Sequence, residues 1–146
     1  MKIDSIQFEH LCEARLDGLA ELEALCFSVP WSRQAFAGEL KNPVAAYIVA
    51  VAGDIVVGYI GVWRVADEGQ ITNVAVRPGY RRQGIGRALV ERVVAECGGD
   101  AVTLEVRRSN VAAQRLYEGM GFAVCGERKR YYEGAEDALI MTRSKS

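Results

Sequence analysis

The chain has 146 residues, half of them hydrophobic and a quarter charged, which is the composition of an ordinary folded domain and excludes a disordered tract. Its 18 Lys plus Arg stand against 19 Asp plus Glu, so no broad nucleic-acid surface is expected, although a local basic cluster can still grip a phosphate. No apolar run approaches the roughly 18 residues of a membrane span, and MKIDSIQFEHLCEA carries acids where a secretion signal would be apolar; no membrane association, a cytoplasmic location and a single domain over residues 1–146 are the expectations.

In chain order, residues 3 to 8 alternate and suggest a strand. Ala14 to Cys26 follow helical spacing through Leu16, Leu19, Leu22 or Glu23, and Cys26. Pro30 interrupts this pattern by biasing Val29 away from helical backbone. Ser32 is placed to cap a short helix reaching Lys41, with Phe36 and Leu40 facing inward. Asn42-Pro43 ends it. Ala46 to Val51 and Ile55 to Val62 are strands joined by a hairpin at Ala52-Gly53-Asp54, and Gln70 to Val76 follows a polar turn around Asp67 to Gly69. The three strands form an antiparallel meander.

After Arg77-Pro78-Gly79-Tyr80, the residues Ile85, Leu89, Val93 and Cys97 lie four apart and mark a core-facing helix that Gly98-Gly99 stops. Ala101 to Val106 is a strand, and Asn110 to Gly119 a helix carrying Ala113, Leu116, Tyr117 and Met120. Strands follow at Gly121 and from Ala138 to Met141. The strand, helix, strand order from Gln70 to Val106 requires a crossover, so part of the sheet is parallel. An α/β architecture with a mixed sheet covered by helices is predicted. The four cysteines, Cys12, Cys26, Cys97 and Cys125, read as buried thiols in a reducing compartment. The lone histidine, His10, makes a zinc site or a histidine triad hard to assemble, so no metal is expected.

Arg81-Arg82-Gln83-Gly84-Ile85-Gly86-Arg87-Ala88 links a strand to a helix. Glycines there let backbone approach an anion, and the helix start offers unpaired N–H groups. A Walker A loop fails because Ile85 and Gly86 stand where lysine and a hydroxyl are needed. The dinucleotide fingerprint fails because Leu89 fills its last small-residue slot. A plain tight turn with solvated arginines accounts for the same spacing.

Ile71-Thr72-Asn73-Val74-Ala75-Val76, then Arg81-x-x-Gly84-x-Gly86, then Leu104-Glu105-Val106 with Asn110, and Leu116-Tyr117 before Gly121-Phe122, together resemble the GNAT superfamily of N-acetyltransferases over almost the whole chain. Pro30-Trp31, Arg130-Tyr131-Tyr132 and Glu136-Asp137-Ala138-Leu139-Ile140-Met141 resemble its RimI branch, which acetylates the N-terminal alanine of a small-subunit ribosomal protein. The resemblance implies a mixed, mostly antiparallel sheet of about seven strands with about four helices, and acetyl-CoA as cosubstrate without metal. It implies that Val74, Ala75 and Val76 offer main chain to the pantetheine arm, that Arg81, Arg82, Gln83, Gly84, Ile85, Gly86, Arg87 and Ala88 wrap the pyrophosphate, and that Asn110 contacts the arm. The 74–76 segment is equally an ordinary core strand by its side chains.

Strand alternation puts Glu105 on the face opposite Leu104 and Val106. Read alone it is a solvent-facing carboxylate paired with Arg107 or Arg108. The resemblance makes it the general base that frees the amine, directly or through water. Tyr117 read alone fills the core with its ring; the resemblance makes it the general acid for the coenzyme A thiolate. Developing oxyanion charge needs a donor, for which a main-chain N–H of Val74 to Val76 is the candidate. Tyr131 and Tyr132, with Phe27 and Trp31, are candidate walls of the acceptor slot or, equally, packing anchors. Neither Cys97 nor Cys125 suggests a covalent nucleophile. A protein N-terminus is the expected partner, with lysine, polyamine or another small amine as alternative acceptors, and a coenzyme A sensor without turnover as a third reading.

Overall fold

The computed structural model describes residues 5–132 and 136–145, the side chains of residues 130–132 excepted. The proposed turn at Glu133-Gly134-Ala135, the side chains of Tyr131 and Tyr132, and residues 3 and 4 of the opening strand therefore lie outside the described residues. Strand β1 (Gln7–His10) precedes a single 3-10 turn and helix α1 (Leu16–Cys26); α2 (Arg33–Leu40), β2 (Ala45–Ala52), β3 (Ile55–Val65) and β4 (Glu68–Val76) follow. The second half comprises α3 (Ile85–Glu96), β5 (Ala101–Arg107), α4 (Val111–Glu118), β6 (Ala123–Tyr132) and β7 (Glu136–Arg143). Among the described residues these strands form one seven-stranded sheet in the order β1-β2-β3-β4-β5-β7-β6. Among the described residues only β4 and β5 pair in parallel.

Alternation on β2 explains the layering. Tyr47, Val49 and Val51 face α1 and α2, burying Leu16, Leu19, Leu22 and Phe36, while Ile48, Ala50 and Ala52 join Ile85, Leu89, Val90 and Val93 of α3 on the other side. The side chains of successive strand residues point to opposite faces, so one strand serves both cores. Glycine sets the spacing at one point: a Cβ on Gly58 would meet Ile85 Cγ2 at 3.1 Å and Ala75 O at 3.2 Å, so its absence lets α3 lie close on the sheet.

The predicted helices and strands recur with shifted ends. Ser32 caps α2, its hydroxyl accepting from Ala35 N at 3.1 Å, but Leu40 does not face inward. It is 41% exposed, because α2 ends at Leu40 and its final turn runs past the core edge. The hairpin between β3 and β4 turns at Ala66 and Asp67, both left-handed with φ of 51° and 61°, and Gly69 is already in β4. The cysteine expectation holds for Cys97 alone: Cys12 and Cys125 are exposed and Cys26 is half-buried. The backbone around them explains this, since Cys12 precedes the 3-10 turn and Cys125 is skipped by the β6–β7 pairing between Val124 and Gly126.

Candidate active site

Parallel pairing of β4 with β5 stops after Gln70↔Thr103. The cause lies on the far side of β4, where Gly61 pairs with Asn73 and Val62 with Ile71, leaving Thr72 as an extra residue. Such a bulge bends and twists its strand. From Thr72 onward β4 leaves β5, which continues against β7 through Leu104↔Met141 to Arg107↔Ala138. A cleft of about 990 Å³ opens between them, lined on its walls by Thr72, Asn73 and Val74 from β4 and by Leu104, Glu105 and Val106 from β5. A narrower limb of about 350 Å³ continues past Val74, Ala75 and Val76 to Arg81 and Gly86, bordered by Asn110, Ala113 and Tyr117 of the α4 side.

The anion-binding end follows from local backbone. Gly79 and Gly84 are left-handed, with φ of 93° and 86°, and Arg82 joins them at 63°. Gly84 is the residue before α3, so this winding turns the first N–H groups of a twelve-residue helix toward the limb. A Cβ on Gly86 would meet only Val76 Cγ2, at 3.7 Å; the protein itself leaves that space open. Arg81 is tied back by Nε to Val76 O at 2.8 Å. Arg82 and Arg87 are exposed, the latter 3.5 Å from Glu91. Gln83 lies beneath the loop, its Nε2 3.5 Å from Gly79 O. Ile85 is buried in the core and Ala88 is half-buried. Three arginines, a helix start and an open glycine fit a pyrophosphate. The edge of β4 beyond Gln70, which no β5 backbone covers, fits an extended amide-bearing chain.

Glu105 faces the cleft but pairs with neither neighbour expected from the sequence: Arg128 Nε of β6 stands 2.9 Å from its Oε1. Arg107 is instead 3.1 Å from Glu136, and Arg108 pairs with Glu127. These bonds shape the turn before α4. Glu136 accepts from Ser109 N at 2.9 Å, and Gln114 Nε2 donates to the carbonyls of Arg107 and Arg108 at 3.1 and 2.8 Å. Hydrogen bonding from Ser109 and Arg107 holds the Glu136 carboxyl below the usual carboxylate range. Asn110 caps α4 through Ala113 N at 3.2 Å. That cap fixes the helix that carries Tyr117, whose ring rests against Phe122 at 5.9 Å. Burial raises the Tyr117 phenol above its ordinary value.

Phe27 lines both limbs and Trp31 the wider one. Several lining groups drew no attention in the sequence. Trp63, Glu68, Gln70 and Thr103 come from strands whose cleft-facing positions look like ordinary polar alternation, while Arg128, which the sequence offers with Lys129 and Arg130 as a solvated face or a contact to coenzyme A or an acidic partner, lines the cleft beside Glu105. Cys26 is another: its thiol lies 3.6 Å from Val76 O and 3.7 Å from Arg81 Nη2. His10 sits far from the cleft, exposed and 3.0 Å from Glu96.

The profile of the Acetyltransferase (GNAT) family matches residues 16–122. The chain belongs to this family. The acetyltransferase is 43% identical over 131 residues to a Bacillus subtilis (strain 168) protein provisionally named a [ribosomal protein bS18]-alanine N-acetyltransferase, covering 86% of this chain and 87% of that one. It is 39% identical over 140 residues to the N-alpha-acetyltransferase RimI of Mycobacterium tuberculosis (strain ATCC 25618 / H37Rv), covering 91% and 89%. Its fold superposes on the crystal structure of the ribosomal-protein-S18-alanine N-acetyltransferase from Escherichia coli with a TM-score of 0.86 and 33% identity, over 97% of this chain and 96% of that one. The GNAT fold and the RimI likeness read from the sequence agree with these findings, and the acetyltransferase is an acetyl-CoA-dependent N-acetyltransferase.

Proposed function

We propose that this acetyltransferase transfers acetyl from acetyl-CoA to the N-terminal α-amine of a protein, the N-terminal alanine of a small-subunit ribosomal protein, acting in the cytoplasm as one domain over residues 1–146. The observation that carries the reading is that Glu105 of β5 and Tyr117 of α4 both line the one cleft that opens where β4 leaves β5. The ribosomal acceptor is supported by the named relatives alone.

In the proposed reaction the pyrophosphate lies against Arg81 to Ala88, and the pantetheine arm runs along Val74 to Val76 beside Asn110. Glu105, ion-paired with Arg128, takes a proton from the acceptor ammonium directly or through water. The freed nitrogen attacks the thioester carbonyl carbon. The oxyanion gathers at β4 main chain, the C–S bond then breaks, the thiolate takes the Tyr117 phenolic proton, and the second proton shed by the new amide nitrogen restores the phenol through solvent. Burial keeps that proton on the phenol until it is needed. Phe27 and Trp31 form the acceptor wall.

A polyamine pocket would be uniformly acidic, whereas this cleft mixes Glu68 and Glu105 with Arg107 and Arg128, which favours a peptide. Acetyl-CoA turnover against alanine-first ribosomal peptides, the same peptides pre-blocked, lysine-only peptides and polyamines tests the reading. Turnover confined to the unblocked alanine-first peptide is expected. Turnover of lysine or polyamine in its place would reject the ribosomal acceptor, and coenzyme A binding without any turnover would reject catalysis.

A further inference from the structure

Glu23 is the buried charged residue among the described residues, 2% exposed, on the helix stripe between Leu22 and Cys26. Placing a carboxylate there costs several kcal/mol unless donors replace water. Two neutral donors do so. Tyr59 O–H donates to Oε1 at 2.7 Å and Trp31 N–H to Oε2 at 3.1 Å. Both donors serve the cleft: Trp31 lies on its acceptor wall, and Tyr59 begins a chain that ends at β4.

The direction of that chain is fixed by chemistry. The Tyr59 O–H is spent on Glu23 Oε1, so the phenolic oxygen is left to accept. Asn73 Nδ2 donates to it at 2.9 Å. The Asn73 amide is thereby oriented, and its Oδ1 accepts from Val74 N at 3.0 Å. Asn73 follows the extra residue Thr72 in the bulge that opens the cleft. Burial, reinforced by the bond to Glu23, raises the Tyr59 phenol well above its ordinary value, so the proton stays in place.

We infer that Glu23 is a positioning residue for the acetyl transfer, using one carboxylate to hold the acceptor wall through Trp31 and the β4 main chain through Tyr59 and Asn73. The inference rests on the proposed reading of these two walls as acceptor and acetyl sites. It assigns the two oxygens separable roles. Losing the Oε2 bond loosens the acceptor wall, and losing the Oε1 bond frees the Asn73 amide, so that the Val74 N–H loses its fixed acceptor and the β4 main chain beside the thioester shifts. A near-attack geometry is sensitive to shifts of about 1 Å.

Three full-chain variants separate the roles. Glu23→Ala removes both bonds, Tyr59→Phe removes only the β4 arm, and Glu23→Gln keeps an acceptor for Trp31 while offering Tyr59 a donor in place of an acceptor. The measurements are kcat, KM for the acceptor that the parent protein turns over best in the panel above, thermal midpoint, and the backbone amide resonances of Trp31 and Val74. Tyr59→Phe and Glu23→Gln are expected to lower kcat by about tenfold with acceptor KM little changed, and Glu23→Ala to raise acceptor KM by about tenfold as well. The Val74 resonance should move in all three variants and the Trp31 resonance chiefly in Glu23→Ala. A lower thermal midpoint with kcat and KM per folded molecule unchanged, or Trp31 and Val74 resonances that stay put in Glu23→Ala, overturns the inference. A best acceptor other than the alanine-first peptide rejects the ribosomal reading and still tests Glu23, because the kinetic split is read on that acceptor. A parent with no turnover rejects the catalytic reading and with it this inference.

Discussion

The two limbs of the cleft are built by opposite means. The narrow limb takes its anion-binding end from one contiguous stretch, residues 81–88, whose left-handed Arg82 and Gly84 wind directly into α3. The wide limb is assembled from places far apart in the chain: Phe27 and Trp31 before α2, Trp63 at the end of β3, Glu105 on β5 and Arg128 on β6. A contiguous turn can be read from residue types because local backbone rules decide it. A composite wall depends on strand order and register, here on one extra residue at Thr72.

The comparison would break most visibly at the proposed catalytic pair. Glu105→Gln and Tyr117→Phe are each expected to lower kcat by about 10²- to 10⁴-fold at saturating acetyl-CoA, the usual weight of general acid–base groups. Full rates in both variants would remove them from the chemistry. Because burial raises the Tyr117 phenol, its acid form persists through neutral pH. The fall in kcat on its deprotonation is therefore expected above the ordinary tyrosine value of about 10, and that alkaline limb should be missing in Tyr117→Phe.

The narrow limb offers a cleaner separation of ligand from fold. Gly86→Ala places a Cβ in ordinary contact with Val76 Cγ2 at 3.7 Å and replaces a helical glycine by the best helix former, a gain of up to about 1 kcal/mol. The thermal midpoint should hold or rise, while coenzyme A affinity by calorimetry should fall roughly tenfold if phosphate occupies that space. Unchanged affinity would move the pyrophosphate away from Gly86.

Legibility in the sequence followed the same division. The stripe Ile85, Leu89, Val93 and Cys97 is buried throughout, since a helix against a sheet leaves one periodic face. The glycine loop, the Ser32 cap and the crossover were legible for similar local reasons. Glu105's partner was not: Arg128 is two strands away in the sheet order, beyond β7, and nothing in Thr103 to Arg108 announces it. Glu23 was visible as part of a helix stripe, yet its burial depends on Tyr59 and Trp31 meeting it from elsewhere.

On the wide limb, Glu39 tests how far support reaches behind the wall. It accepts from Tyr47 O–H at 2.9 Å, Trp63 Nε1 at 2.9 Å and Asn42 Nδ2 at 3.0 Å. Burial alone would raise its pKa, but these three bonds outweigh it and hold it below the ordinary value. A depressed folded-state pKa contributes stability above the unfolded value of about 4.3, and that stability is lost as pH falls through the folded value. Glu39→Gln is therefore expected to be less stable by about 1 kcal/mol at pH 7. The gap to the parent should close on acidification below pH of about 4. A gap independent of pH in denaturant titrations would show that the carboxylate charge contributes nothing.

The smallest effect is expected one residue on. Leu40 is spaced to share the Phe36 face of α2, but Phe36 is buried and Leu40 lies 41% exposed beyond the edge of the core. Truncating Leu40 uncovers little buried surface, and alanine is at least as good a helix former, so Leu40→Ala should change stability by less than about 0.5 kcal/mol. Acceptor kinetics should be unchanged, because α2 reaches the wide limb through Glu39 and its bond to Trp63. A loss of about 2 kcal/mol or more, the cost of a true core leucine, would mean that Leu40 is covered in solution and that the outer layer beside the acceptor limb extends further than α1 and α2.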